Sequence, residues 1–145
     1  MARSILLFAL FTLMACPKKS APTTPTGDVP AGNAATAAGS MADAPTYDVP
    51  KTVEIAKPSC NQDSYFKVNV PAGKAFTVDV KASAGCGGVA VLNQNGGSAG
   101  DNTSVEACAE SGPKSISGTG QEGATFISVK ETGACGGNTI TIDIK

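Results

Sequence analysis

The chain has 145 residues, with 11 basic and 12 acidic side chains, five cysteines, and neither histidine nor tryptophan. This near-neutral charge balance supplies no basic surface for nucleic acid. Without histidine, the chain cannot assemble a Ser-His-Asp or Cys-His catalytic arrangement or a two-histidine metal site. We therefore predict a protein that is not an enzyme and that carries no cofactor or metal.

Residues 1–15 have the pattern of an export signal. Arg3 precedes an apolar run from Ile5 to Met14, and this run has about half the length that a membrane-spanning helix needs. The run closes on Leu13-Met14-Ala15-Cys16, which resembles the lipobox of bacterial lipoproteins. That resemblance implies that Cys16 becomes the new N-terminus and carries fatty acyl chains such as palmitate, which anchor a protein stably to its membrane.

The residue after Cys16 bears on which membrane holds the protein. Pro17 stands where an inner-membrane retention signal of enterobacteria would have aspartate. The resemblance therefore favours the outer membrane of a bacterial cell envelope. The alternative is an ordinary signal peptide that is cleaved nearby and leaves Cys16 as a chance thiol.

Residues 16–46 have the composition of a linker. Proline, alanine, threonine and glycine dominate, and Val29 and Met41 are the only bulky apolar side chains. Such a segment cannot bury enough apolar surface to offset its ordering entropy, and we expect it to be disordered. As a random coil it would hold the following domain about 30 Å from the bilayer. A short helix over Ala34–Ala42 is the alternative, although it would have no apolar stripe.

Residues 47–145 are predicted to form one all-β domain. Apolar and polar side chains alternate with the period of two that is typical of half-buried strands. The clearest strands are Phe66–Val70, Phe76–Lys81 and Ile140–Ile144, and weaker ones are Thr52–Ala56, Gly88–Asn93, Ser104–Ala109, Ser115–Ser117 and Thr125–Lys130. About eight short strands between Gly, Pro and Asn clusters predict an antiparallel β-sandwich.

The cysteines of this domain are predicted to form structural disulfides. Setting Cys16 aside leaves an even set, Cys60, Cys86, Cys108 and Cys135, in a compartment where disulfides persist. The alternative is a zinc site of four scattered thiolates, without the paired spacing that such sites usually show.

An internal repeat suggests how these cysteines pair. Ala75–Gly88 aligns without gaps on Ala124–Gly137. If the segment from Cys60 to Cys86 folded as a hairpin, these two cysteines would face each other at its open end. The same geometry would pair Cys108 with Cys135. We therefore favour Cys60–Cys86 and Cys108–Cys135 among the three possible pairings.

Two further sets of polar residues are candidate functional sites. Five carboxylates are candidates for a glycosidase pair, but on strands they are predicted to alternate outward into solvent: Asp63, Asp79, Asp101, Glu106 and Glu110. The loop from Asn93 to Asn102 carries oxygen donors that could suit weak calcium binding. Because the EF-hand spacing is absent, a surface turn is the preferred interpretation.

The first part of the domain resembles a known family. Asp63–Gly73 combines an aspartate, an aromatic residue, an alternating strand and a Pro-Ala-Gly turn, which is similar to the opening of the bacterial pre-peptidase C-terminal domain. Val89–Gly96, Gly123–Val129 and Thr139–Ile144 resemble its later strands. The resemblance implies a jelly-roll-like β-sandwich of a kind often appended to exported enzymes, sometimes binding matrix polymers or calcium.

These observations predict a membrane-anchored lipoprotein with a non-catalytic β-sandwich. Its expected partners are the membrane, through the lipid on Cys16, and a protein or glycan of the envelope or extracellular matrix. The alternative is a passive structural or protective envelope component that has no dedicated ligand.

Overall fold

A computed structural model describes residues 37–60, 62–133 and 136–145, and these ranges contain nine β-strands and no helix. The strands are β1 (Thr46–Asp48), β2 (Lys51–Ala56), β3 (Ser64–Asn69), β4 (Ala75–Ala82), β5 (Cys86–Leu92), β6 (Ser104–Cys108), β7 (Lys114–Thr119), β8 (Thr125–Thr132) and β9 (Thr139–Ile144). The predicted all-β class is confirmed, with β1 as an additional strand. No segment within the described ranges is a helix long and apolar enough to span a membrane. The predicted signal peptide, Cys16 and the linker up to residue 36 lie outside the described residues.

The strands form two sheets that pack face to face. One sheet has five strands in the order β1-β3-β8-β5-β6, and the other has four in the order β2-β9-β4-β7. Pairing is antiparallel, as predicted, except that β1 runs parallel to β3. The inward faces supply one core, whose largest fully buried side chains include Phe66, Val78, Val91, Ile127 and Ile142.

Alternation along each strand separates the core from the surface. In β9 the side chains of Ile140, Ile142 and Ile144 are buried, whereas those of Thr141 and Asp143 are partly exposed. Each such aliphatic side chain contributes roughly 1.5–3 kcal/mol when it is fully removed from water. The period-two pattern of the sequence is thus the pattern of burial in the sandwich.

The internal repeat corresponds to an exchange of the two sheets. The repeat aligns β4 with the first strand of the second copy, β8, and these strands lie in opposite sheets. If β3 also corresponds to β7, β5 to β9 and β6 to β2, the order β3-β8-β5-β6 in one sheet matches the order β7-β4-β9-β2 in the other. The two sheets are therefore variations on one arrangement of strands.

The favoured disulfide pairing, Cys60–Cys86 and Cys108–Cys135, is wrong, because Cys86 is bonded to Cys108. The hairpins on which it rested do not exist: β3 and β4 lie in different sheets, and so do β7 and β8. The turns between β3 and β4 and between β7 and β8 instead carry the chain from one sheet to the other. Cys86 and Cys108 face each other directly in the β5–β6 pair.

We predict that the second disulfide joins Cys60 to Cys135. Cys60 is disulfide-bonded, and its candidate partners, Cys16 and Cys135, lie outside the described residues. Strands β2 and β9 are antiparallel, and the Lys57 amide continues their ladder by donating to the Asn138 carbonyl, 2.8 Å away. Counting three residues onward from Lys57 and three back from Asn138 gives Cys60 and Cys135.

Peptide mapping without reduction is the measurement that checks this pairing. We expect one cross-linked peptide pair that contains Cys60 and Cys135 and a second that contains Cys86 and Cys108. A peptide joining Cys60 to Cys16 would contradict the prediction, and it would also remove the thiol that lipidation requires.

The described residues include the end of the predicted linker, residues 37–46. Ala38 forms an antiparallel bridge with Tyr65, and their backbones exchange hydrogen bonds of 3.0 and 2.7 Å. Ala44 is buried, and the Pro45 carbonyl accepts a hydrogen bond from the Lys67 amide. Residues 38–45 therefore run along the same edge of β3 with which β1 pairs.

Candidate functional site

The outer face of the five-stranded sheet contains a groove of about 540 Å³. Val89 and Val91 of β5 and Ile127 and Val129 of β8 are buried in the core, so the residues between them point outward. We call this depression the transverse groove, and its outward-facing lining is Asp63, Tyr65, Gly88, Ala90, Leu92, Ser104, Glu106, Ser128, Lys130 and Thr132.

Strand register arranges most of this lining in two rows. Tyr65, Ser128, Ala90 and Ser104 face one another in turn across β3, β8, β5 and β6. In the neighbouring row, Gly88 lies between Lys130 and Glu106. The groove thus runs across the strands, and four adjacent strands give it a length of about 14 Å.

Larger groups stand along both sides of these rows. On one side Leu92 faces Phe126, and the Lys67 ammonium lies 5.6 Å from the centroid of the Phe126 ring. On the other side Cys86 faces both Thr132 and its disulfide partner Cys108. The floor between them is low because glycine and alanine occupy its centre.

The outer face of the four-stranded sheet lacks such small residues at its centre. There Asp79 faces Asp143, and Lys81 faces Thr141. The Ser115 hydroxyl donates to Asp79, and the Thr52 hydroxyl donates to Asp143, each at 2.5 Å. The transverse groove is therefore a feature of one sheet and not a consequence of the fold itself.

Two carboxylates of the groove accept a hydrogen bond from a hydroxyl group. The Tyr65 hydroxyl lies 3.5 Å from Oδ2 of Asp63. Burial, followed by the charge and the hydrogen bond of Asp63, raises the pKa of Tyr65, so the phenol keeps its proton. Thr132 Oγ1 of β8 reaches across β5 and donates to Glu106 Oε1 of β6 at 2.5 Å. The geometry is that of a hydrogen-bonding surface.

The structure separates the carboxylates that the sequence singled out. Asp63 and Glu106 both line the transverse groove but belong to opposite ends of it. Asp79 lies on the other sheet, and Asp101 and Glu110 are exposed in loops. The prediction of outward, solvated carboxylates thus describes their positions, while the sequence did not reveal that two of them share a groove.

In the loop from Asn93 to Asn102, the side-chain oxygen of Asn93 is engaged in hydrogen bonds within the loop. Oδ1 of Asn93 accepts hydrogen bonds from the amides of Asn95 and Gly97, at 2.9 and 3.1 Å. Its side-chain nitrogen donates to the Ser98 carbonyl at 3.4 Å. Within the described parts of the chain, no group of three or more His, Cys, Asp or Glu residues could hold a metal ion. Asn93 therefore shapes the turn that follows β5.

Acid should weaken the fold partly through Asp79. Lys145 Nζ lies 2.6 Å from Oδ2 of Asp79, and hydrogen bonds from Lys145 and Ser115 lower the pKa of Asp79 from its usual 3.8. Such a carboxylate stabilises the folded state above its unfolded pKa, and this contribution is lost as the pH falls through the folded pKa. This contribution to stability is small, because the side chains of Asp79 and Lys145 are 29% and 65% exposed. Solvent therefore screens the attraction between them.

Urea unfolding at a series of pH values checks this expectation. Between about pH 4 and pH 2, the free energy of unfolding should fall more steeply for the wild type than for Asp79→Asn. Asp101→Asn, which removes an exposed loop carboxylate, serves as the matched control and should follow the wild type. Identical slopes for the wild type and Asp79→Asn would show that the ion pair adds nothing to stability.

The floor of the groove was missed by sequence reasoning. Gly88, Ala90, Ser104 and Ser128 belong to predicted strands, but nothing in the sequence marks them as neighbours. The available signal was the presence of small residues at outward positions on several strands. That signal becomes specific only when the order and register of the strands are known.

Comparison with known proteins identifies the fold. No protein-family model and no curated protein matches the chain. Among solved structures, it is similar to the pre-peptidase C-terminal domain of collagenase from Bacillus anthracis, with a TM-score of 0.52 and 12% sequence identity over 71% of this chain and 95% of that domain. At this identity the similarity shows the fold alone. The chain therefore contains a β-sandwich of the pre-peptidase C-terminal kind, and this confirms the fold that the resemblance of Asp63–Gly73 implied.

Proposed function

We propose that this protein is a lipoprotein of the bacterial envelope that is anchored through Cys16 and binds an envelope or extracellular ligand in the transverse groove. The observation that carries the proposal is the hollow over Gly88, Ala90 and Ser128, which has a carboxylate toward each end, Asp63 and Glu106. The other sheet, built from corresponding strands, has its outer face filled at the centre.

The chemistry of the groove supports binding and not catalysis. Tyr65 keeps its proton, since its pKa is raised. The carboxylates of Asp63 and Glu106 lie toward opposite ends of the groove, and each accepts a hydrogen bond from a different hydroxyl. The fold also supports a non-catalytic domain, since the similar solved structure is a pre-peptidase C-terminal domain of a collagenase.

Metabolic labelling tests the anchor. Cells that express the full chain and are fed an alkyne-bearing palmitate should label the wild type and not the Cys16→Ala variant. The wild type should enter the detergent phase on Triton X-114 partition, and the variant should stay in the aqueous phase. A Cys16→Ala variant that still partitions with membranes would overturn the anchoring part of the proposal.

Sedimentation tests the binding part separately. The full chain with Cys16→Ala, mixed with envelope fragments, should sediment with them because the groove can still bind. Adding Ala90→Leu fills the floor and should lower the bound fraction about tenfold. The matched control is Thr141→Leu, on the outer face of the other sheet, and it should leave sedimentation unchanged. Equal sedimentation of both variants would contradict groove binding and favour the passive structural role.

A further inference from the structure

We infer that the ligand of the transverse groove is a saccharide chain that is neutral or carries amino groups and that lies across the strands from β3 to β6. This inference rests on the proposed function and specifies the ligand of the same site. Hydrogen-bonding capacity, shape and charge each bear on it.

The groove has more hydrogen-bond acceptors than donors. Ionised carboxylates such as Asp63 and Glu106 only accept hydrogen bonds, and the hydroxyls of Tyr65 and Thr132 are directed at these carboxylates. Lys130 is the only lining side chain that can donate but not accept. A good ligand must therefore supply donors. Amino groups do so, and so do sugar hydroxyls, because a hydroxyl can rotate to direct its O–H at an acceptor.

The floor suits a ring better than an added peptide strand. Gly88 and Ala90 belong to β5, which is paired on both sides, with β8 and with β6. Their backbone groups are therefore committed to the sheet, whereas extended peptides usually bind at a sheet edge with free backbone groups. The floor instead offers van der Waals contact to a flat ligand face, and the Tyr65 ring lies at one end.

The groove is narrow as well as shallow. A methyl group added to Gly88 would lie 3.3 Å from Cγ2 of Thr132 and 3.6 Å from Cγ of Lys130. An unbranched chain without bulky substituents is the form that fits such a space. The length of about 14 Å, set by four strands, accommodates a short oligosaccharide segment.

Charge selects among saccharides. Two carboxylates, Asp63 and Glu106, oppose one ammonium, Lys130, within the lining. Like charges brought together at an interface are disfavoured, so saccharides rich in carboxylate or phosphate groups are disfavoured here. Amino sugars gain an attraction to the carboxylates, and neutral sugars carry no penalty.

Selective treatment of the envelope fragments tests the class of ligand. In the sedimentation assay with the full chain carrying Cys16→Ala, periodate oxidation of the fragments should lower the groove-dependent bound fraction about tenfold. Digestion of the fragments with proteinase K should leave this fraction unchanged. Groove-dependent binding that survives periodate but is lost after protease would overturn the inference, while the proposed groove function would stand.

Two charge variants test the kind of saccharide in the same assay. Glu106→Gln should weaken binding several-fold, because it removes an acceptor charge, and Lys130→Gln should leave binding equal or tighter. The opposite order would identify an anionic ligand and overturn the inference. Thr141→Leu controls for non-specific effects, and the circular dichroism and thermal unfolding of every variant should match those of the parent chain. If no groove-dependent sedimentation is found at all, the proposed function itself fails.

Discussion

Replacing both Cys86 and Cys108 by serine is expected to lower the free energy of unfolding by about 3 kcal/mol. The bond closes a separation of 22 residues, and on the chain-entropy model a cross-link of this span restricts the unfolded ensemble by about that amount. It also ties down β6, which ends the five-stranded sheet and pairs with β5. Urea unfolding followed by circular dichroism measures the difference.

The matched control for this disulfide exchanges another facing pair of the same strands. Ala90 faces Ser104, so the double variant Ala90→Ser with Ser104→Ala changes two opposite residues and keeps the composition. Surface substitutions of this kind are usually within about 0.5 kcal/mol of neutral. If the double serine variant unfolds at the same urea concentration as this control, the disulfide does not stabilise the native domain.

Period-two alternation was sufficient to find most of the fold. The isoleucines of β9 and the Phe76, Val78 and Val80 series of β4 mark strands that are buried on one face. Side-chain alternation is a local property, so it is visible without knowledge of the partner strands. Strand β1 was missed because its three residues, Thr46–Asp48, are too few to show a period.

Strand pairing was harder to predict, because it is not local. The turn at Gly73 looks like a hairpin loop, and Gly73 has the positive φ of 78° that tight turns often need. The same kind of turn also connects strands of opposite sheets, as it does between β3 and β4. The cysteine pairing followed the wrong choice between these two connections.

The transverse groove depends on still longer-range information. Tyr65 and Ser104 are far apart in the sequence, and they share a row only because β8 and β5 lie between β3 and β6. Their residue types are also ordinary for exposed strand positions. A pair of glycines, Gly87-Gly88, was visible in the sequence as part of the repeat, but its effect on depth follows from the outward position of Gly88 in β5.

Replacing Asn138 by alanine is expected to lower the free energy of unfolding by about 2–4 kcal/mol. The Asn138 side chain is 1% exposed, and its Oδ1 accepts hydrogen bonds from the amides of Ser83 and Ala84, at 3.1 and 3.2 Å. Its Nδ2 donates to the Cys86 carbonyl at 3.3 Å. Alanine would remove these three hydrogen bonds, each of which contributes about 0.5–1.5 kcal/mol, although the Ser83 amide would keep a second acceptor, the Thr139 carbonyl at 3.0 Å.

An exposed asparagine of the same domain provides the control. Asn69 makes a hydrogen bond from Nδ2 to Oδ1 of Asp48, 2.9 Å long and open to solvent. Water can replace that bond, so Asn69→Ala should cost less than about 1 kcal/mol. Because Asn138 also fixes the turn that leads into β5, the amides of Ser83 and Ala84 should exchange with solvent faster in Asn138→Ala than in the control. Equal stability and equal exchange in the two variants would mean that β4 and β5 hold this turn without Asn138.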